Sequence, residues 1–139
     1  MIAQSELIVT DTDLARLREM TRELRASRHP YRQYAGELEA ELGRARVVPQ
    51  AEVGADVVTM NCTIRIRDRL GREAEEFTLV YPNESDFLNG RLSVLAPLGM
   101  AVLGARVGDV ITWRVPAGER TFTVERIVYQ PEAAGDFHL

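Results

Sequence analysis

The feature that most constrains this chain is a change of hydrophobic period at Pro49. Before it, apolar residues recur at spacings of three and four, which marks one face of a helix. After it, they recur at every second position, which marks a strand with one buried face. A chain that makes this switch once, without alternating, is expected to fold as α+β with helices and strands segregated. The expected division is a helical hairpin over residues 1–48 and a small antiparallel sheet with one short helix over residues 49–139.

The first helix is expected to start at "TDTD", where Thr10, Asp11 or Thr12 can accept the free backbone N–H groups. Leu14, Leu17, Thr21 and Leu24 then form a narrow seam of the coiled-coil type. Pro30 ends that helix, because the residue before a proline is pushed out of the α region. Tyr31, Ala35, Leu38, Leu42 and Ala45 give a second seam, predicting a helix from about Tyr31 to Arg46. The intervening loop is short, so the helices lie antiparallel with their seams together. Each arm of roughly 16 residues is about 24 Å long at the helical rise.

In "DVVTMNCTIRIRD", Val58, Met60, Cys62, Ile64 and Ile66 face inward, and Thr59, Asn61, Thr63, Arg65 and Arg67 face outward. "RLGR" turns the chain into "EEFTLVY", with Phe77, Leu79 and Tyr81 inward, so the two segments read as a hairpin. "PNESDFLNG" reads as a polar loop and "RLSVLA" as a short strand. Pro97 suits the first position of a helix that ends near Gly104, with Val94 and Val102 in the core. "VITWRV" and "RTFTVERIVYQ" close the sheet; in the latter, Phe122, Val124, Arg126 and Val128 share one face. The tail "PEAAGDFHL" has no period, and Phe137 and Leu139 are expected to fold back onto the protein.

Composition narrows the function classes. Hydrophobic residues make up 45% of the chain, enough for a modest core, and no apolar run has membrane-spanning length. "MIAQSELIVT" lacks the basic flank and apolar stretch of a signal peptide, and a lone cysteine suits a reducing cytoplasm. The net charge of −4 argues against a protein that coats nucleic acid, and no sequence-specific nucleic-acid reading or membrane partner is expected. All 17 cationic residues are arginines.

Chemistry-bearing residues are few. "RASRHPYRQYAG" holds three arginines, a histidine and two tyrosines, with no Asp or Glu. Arg28, His29, Tyr31 and Arg32 therefore form a basic, aromatic hairpin tip. Two readings of it stand: positive charge compensating a helix C-terminus, or a contact with an acidic surface or RNA. His29 and His138 have no partners at metal-ligand spacing, so no metal or cofactor is expected. Cys62, on an apolar strand face, reads as a buried, inert thiol. Glu73, Glu75 and Glu76 read as a solvated edge.

Four separated motifs in order, "DVVTMN", "LVYP", "LSVLAPLGMAVLGARVGD" and "YQPEAAGDFHL", resemble the family of regulators of nucleoside diphosphate kinase. That family lies within the superfamily of the bacterial Gre transcript-cleavage factors. The resemblance is close over residues 56–139 and loose over the hairpin. It implies an FKBP-like domain that docks on bacterial RNA polymerase beside the secondary channel, with the hairpin directed toward that channel. Ser93, Ala96, Pro97, Leu98 and Gly99 correspond to the loop and helix start that face the polymerase rim helices in Gre-like domains. In Gre factors a longer hairpin ends in acids that help hold a second Mg²⁺ about 4 Å from the first, as two-metal phosphoryl chemistry requires. This tip offers no carboxylate, and the arm is shorter, so the expected role is a non-enzymatic regulator that competes with or modulates channel-binding factors; a monomer is favoured, with the oligomeric state left open. Transcript cleavage and FKBP-like prolyl isomerisation are the alternatives. An influence on nucleoside diphosphate kinase follows from the family alone.

Overall fold

A computed structural model describes residues 7–69, 73–115 and 118–139. The chain opens with strand β1 (Ile8–Thr10), which runs directly into helix α1 (Asp11–Ala26). Thr10 is the cap: its side-chain oxygen accepts from the Asp13 backbone N–H at 3.0 Å. A five-residue turn leads to helix α2 (Arg32–Leu42), and strand β2 (Arg46–Val48) follows. Leu17, Thr21, Ala35, Leu38 and Leu42 are buried, and Leu14 and Leu24 are half-buried against the core, so the two seams meet as expected except at Tyr31, which precedes α2 and is exposed.

The second helix stops four residues before the expected Arg46. Gly43 caps it, and Arg46 donates its N–H to the Leu7 carbonyl at 2.8 Å. That bond begins a parallel pairing of β1 with β2, in the register Ile8↔Arg46, Val9↔Val47, Thr10↔Val48. The hairpin is thus zipped shut at its base. Ile8 also donates to the Gly104 carbonyl at 3.2 Å, and Gly104 donates to Val58 at 2.9 Å, which stitches the zipper to the rest of the protein.

The remaining strands are β3 (Thr63–Asp68), β4 (Ala74–Val80), β5 (Arg91–Ser93), β6 (Val110–Val115) and β7 (Gly118–Tyr129). They form one sheet in the order β5-β4-β3-β7-β6. The sheet is mostly antiparallel; β5 departs from the expectation by running parallel to β4, Thr78↔Arg91 to Val80↔Ser93. The loop before it carries the chain back along β4 before the strand begins. The expected hairpin of β3 with β4 is present, in the register Thr63↔Thr78 to Arg67↔Ala74, and part of its turn, residues 70–72, lies outside the described residues. Helix α3 (Pro97–Val102) begins at the proline, as expected, and helix α4 (Pro131–Ala134) occupies the tail.

Two alternations are broken by local irregularities. Val58, Met60, Cys62, Ile64 and Ile66 are all buried, yet the strand starts only at Thr63. Asn61 takes a left-handed φ of 63°, so residues 59–62 turn, and Thr59 is buried where exposure was expected. In β7 the pairs Arg65↔Arg126 and Ile66↔Val124 leave Glu125 as an extra residue, a β-bulge, and a second register shift between Thr63↔Tyr129 and Ile64↔Ile127 leaves Val128 extra. Beyond the bulge the faces exchange. Ile127, not Val128, packs on the core, and Val128 is exposed. Glu125 then accepts from both Arg65 Nε (2.9 Å) and Arg67 Nε.

One hydrophobic cluster joins the two halves. Val9, Leu17, Leu38 and Leu42 from the hairpin and Met60, Ile64, Leu79, Phe122 and Val124 from the sheet side belong to it.

Candidate functional site

Three regions carry polar chemistry. The first is the hairpin tip. Ser27 ends α1, its hydroxyl donating to the Leu24 carbonyl at 2.9 Å and accepting from the His29 N–H at 3.2 Å. Tyr31 donates its N–H to His29 Nδ1 at 3.1 Å. The His29 and Tyr31 ring centroids lie 5.1 Å apart, and those of Tyr31 and Tyr34 6.2 Å apart. Arg28, His29, Tyr31 and Arg32 are all exposed. The neighbouring charges are spent elsewhere: Arg22 pairs with Glu19 at 2.6 Å, and Arg25 pairs with Glu39. Among the described residues no carboxylate contacts Arg28 or Arg32. Arg28 also lies beyond the end of α1, whose last turn already holds Arg25.

The second region is the start of α3. Ser93 accepts from Leu95 N–H through its hydroxyl (3.1 Å) and from Ala96 N–H through its carbonyl (3.0 Å). This tight turn leaves Pro97 exposed, Ser93, Ala96 and Leu98 half-buried, and Gly99 buried. Val94 and Val102 are buried in the core. An added Cβ at Gly99 would stand 2.2 Å from the Ser93 carbonyl oxygen, so this glycine is where the turn tucks beneath the helix.

The third region, which the sequence did not signal, is the joint where hairpin, sheet and tail meet. Asp13 is buried in the first turn of α1, and its Oδ2 accepts from the Met60 N–H at 3.1 Å. Glu132 of α4 is also buried and accepts from the Thr59 hydroxyl at 2.8 Å. One oxygen of each carboxyl and the Tyr81 hydroxyl are buried without a hydrogen-bond partner among the described residues. Gln130 ties the tail down, donating to the carbonyls of Gly54 and Val57 at 2.8 Å each and accepting from Ala133 N–H at 3.1 Å. The Leu139 carbonyl accepts from Arg16 at 2.9 Å and the Phe137 carbonyl from Gln50 at 3.1 Å. The tail therefore docks, as expected, through the Gln130 and Glu132 side chains and the Phe137 and Leu139 carbonyls, while the Phe137 side chain stays exposed. An Asp in the first turn of a helix reads as a cap residue, which is why Asp13 gave no sign of its burial.

Burial raises the Asp13 pKa from 3.8 to about 6; Glu132 adds to the rise, and the Met60 N–H, Arg16 and Thr10 oppose it. Asp13 thus holds its proton more tightly folded than unfolded. Its contribution favours folding fully below pH 3.8 and is lost as pH rises through about 6. Asp13→Asn keeps an acceptor for Met60 and does not ionise. Its stability relative to wild type should therefore climb by on the order of 2 kcal/mol between about pH 4 and pH 7 in urea unfolding. Parallel pH profiles for the two proteins would refute that. Cys62 is a buried thiol whose pKa burial pushes up to about 12. Among the described residues no group of three or more His, Cys, Asp or Glu gathers as a metal site, and no helix is long and apolar enough to cross a membrane.

A helical hairpin zipped onto a mostly antiparallel sheet is the arrangement of the GreA/GreB class. The family described as "Transcription elongation factor, GreA/GreB, C-term" matches residues 52–129. A prokaryotic GreA/GreB elongation factor from Nitrosomonas europaea superposes with a TM-score of 0.73 at 36% identity, over 88% of this chain and 99% of that one. Within the class the hairpin is distinctive: residues 6–48 match the family described as "Rnk N-terminus". The regulator of nucleoside diphosphate kinase of Escherichia coli (strain K12) is 47% identical over 76% of this chain and 78% of its own length. A GreA of Thermoanaerobacter pseudethanolicus is 40% identical over 58% of this chain and 52% of its own. The chain belongs to the family of the regulator of nucleoside diphosphate kinase. Its relatives are named as regulators or elongation factors, which places it among transcription-factor-like regulators.

Proposed function

We propose that this protein is a non-enzymatic regulator of transcription that binds bacterial RNA polymerase at the rim of its secondary channel. Ser93, Ala96, Pro97 and Leu98 form the gripping face, with Gly99 letting the turn close beneath them. Residues 49–139 act as an FKBP-like docking unit, and residues 1–48 as an arm held toward the channel. The protein works as a monomer in the cytoplasm, and its influence on nucleoside diphosphate kinase runs through transcription.

The observation that carries this reading is the chemistry of the tip. Mg²⁺ takes hard oxygen ligands, and the segment from Arg25 to Gly36 supplies no carboxylate. The nearest acids, Glu23 and Glu37, lie about two turns back along each arm, and Glu39 is held by Arg25 and by the Thr21 hydroxyl. Such a tip occupies space and presents positive charge but brings no second metal ion. A 16-residue α1 reaches only about 24 Å. Occupying the channel mouth without cleaving is the action that remains.

A competition pull-down tests it. Core polymerase from the same bacterium should retain the protein, and a Gre factor should displace it. Pro97→Asp should keep the wild-type circular dichroism and bind at least tenfold more weakly. Arg28→Glu combined with Arg32→Glu should weaken capture at moderate salt. Shortening of RNA in stalled elongation complexes on addition of the protein, or failure of polymerase to retain it, would sink the reading.

A further inference from the structure

The loop from Tyr81 to Gly90 does something that its polar composition hides. It is built of two 3₁₀ turns, Pro82–Glu84 and Phe87–Asn89. Phe87 is 79% exposed and Leu88 94% exposed, the two most solvated large hydrophobic side chains among the described residues. They are not loose. Asp86 and Arg91 exchange both backbone hydrogen bonds at 2.9 Å. Asn89 Nδ2 donates to the Asp86 carboxylate at 2.6 Å, and Arg91 Nε donates to the Glu84 carbonyl at 3.1 Å. Gly90, at φ 72°, closes the turn by donating to the Phe87 carbonyl at 3.0 Å. Five hydrogen bonds hold two apolar side chains out in water.

The charge around them is equally uneven. Residues 73–91 contain five carboxylates, Glu73, Glu75, Glu76, Glu84 and Asp86, against the single Arg91. With 17 arginines and 21 acids in the whole chain, the other 120 residues balance at sixteen of each. The entire net charge of −4 therefore sits in the stretch that carries the apolar pair.

We propose that Phe87 and Leu88 form a preorganised prong that inserts into an apolar groove with an Arg- or Lys-lined rim on a protein partner. The acidic surround repels anionic lipid headgroups and nucleic-acid phosphates, which leaves a protein surface as the occupant. Fixing the turn that carries both side chains removes the backbone part of the ordering cost of binding. The complementary rim gains in association rate. The partner is the polymerase, and in this the inference rests on the function proposed above. β5, three residues or roughly 10 Å long, separates the prong at one end from the Ser93–Pro97 turn at the other. A surface that grips Pro97 thus meets the prong along the same sheet edge.

The test uses the intact protein and immobilised core polymerase, with binding followed in real time. Phe87→Ser combined with Leu88→Ser should bind at least tenfold more weakly, mainly by faster dissociation. Leu88→Ser alone, at the more exposed position, should show part of the same loss with unchanged circular dichroism. Glu73→Gln with Glu75→Gln and Glu76→Gln should slow association and flatten its salt dependence. Binding by the double serine variant within twofold of wild type overturns the prong while leaving the Pro97 face intact. Loss of self-association in the double variant, with polymerase binding unchanged, overturns it in favour of a second copy as the occupant. No retention of wild-type protein by polymerase overturns both proposals together.

Discussion

Gly99→Ala should cost the folded protein about 3 kcal/mol, at the upper end of what overpacking costs. An alanine Cβ there would lie 2.2 Å from the Ser93 carbonyl oxygen, 3.0 Å from its carbonyl carbon and 3.1 Å from the Val94 Cα. All three are backbone atoms, so no rotamer change relieves the clash. Ser93 is anchored in β5, and Val94 donates to the Val80 carbonyl at 2.9 Å. The helix must therefore lift off its turn, pulling Val102 from the core. For a chain of this size the loss should lower the melting midpoint by roughly 10 °C. Gly36→Ala is the matched control. Gly36 lies inside α2, and its added Cβ would meet nothing nearer than Arg25 Nε at 4.0 Å. Alanine there should raise stability by about 0.5–1 kcal/mol, because glycine pays the greater backbone entropy in a helix. Equal midpoints for the two variants would show that α3 does not pack as described.

The contrast between these glycines bears on what the sequence revealed. Periodicity is a property of neighbours along the chain, so it exposed whatever a run of neighbours decides. Leu14, Leu17 and Leu24 facing Ala35, Leu38 and Leu42 were legible as two seams, and Pro97 as the first residue of a helix. β1 and β2 were not, because three residues are too few to display an alternation. Asn61 and Glu125 were not legible either. A left-handed residue and isolated register shifts leave no mark on the pattern, yet they bury Thr59 and exchange Ile127 for Val128. The candidate sites divide the same way. The tip was readable because its character is compositional and local, an acid-free run around a proline. The joint was hidden because Asp13, Thr59 and Glu132 converge from three distant segments. Phe87 and Leu88 were absorbed into a loop whose average is polar.

Leu38→Ala should destabilise the whole protein by about 2–5 kcal/mol, the range for removing a fully buried leucine side chain. Leu38 is wholly buried in α2, in the cluster that also holds Met60, Leu79 and Phe122. The consequence reaches beyond the hairpin. Helices of 16 and 11 residues are marginal alone in water. Their stability is borrowed from the shared cluster, the β1–β2 zipper and the Asp13–Met60 bond. Loss at Leu38 should therefore be felt in the sheet. Trp113, the chain's one tryptophan, sits in β6 at the far edge and reports on that sheet by its fluorescence. Its unfolding midpoint and the midpoint from far-ultraviolet circular dichroism should coincide in wild type and shift together in the variant, as two-state behaviour requires. If Trp113 keeps its wild-type midpoint while the helical signal melts early, the hairpin is an independent appendage. Its tip would then have no fixed direction. An arm that must present Arg28 and Arg32 at one place on a partner needs the opposite, a base that unfolds only when the sheet does.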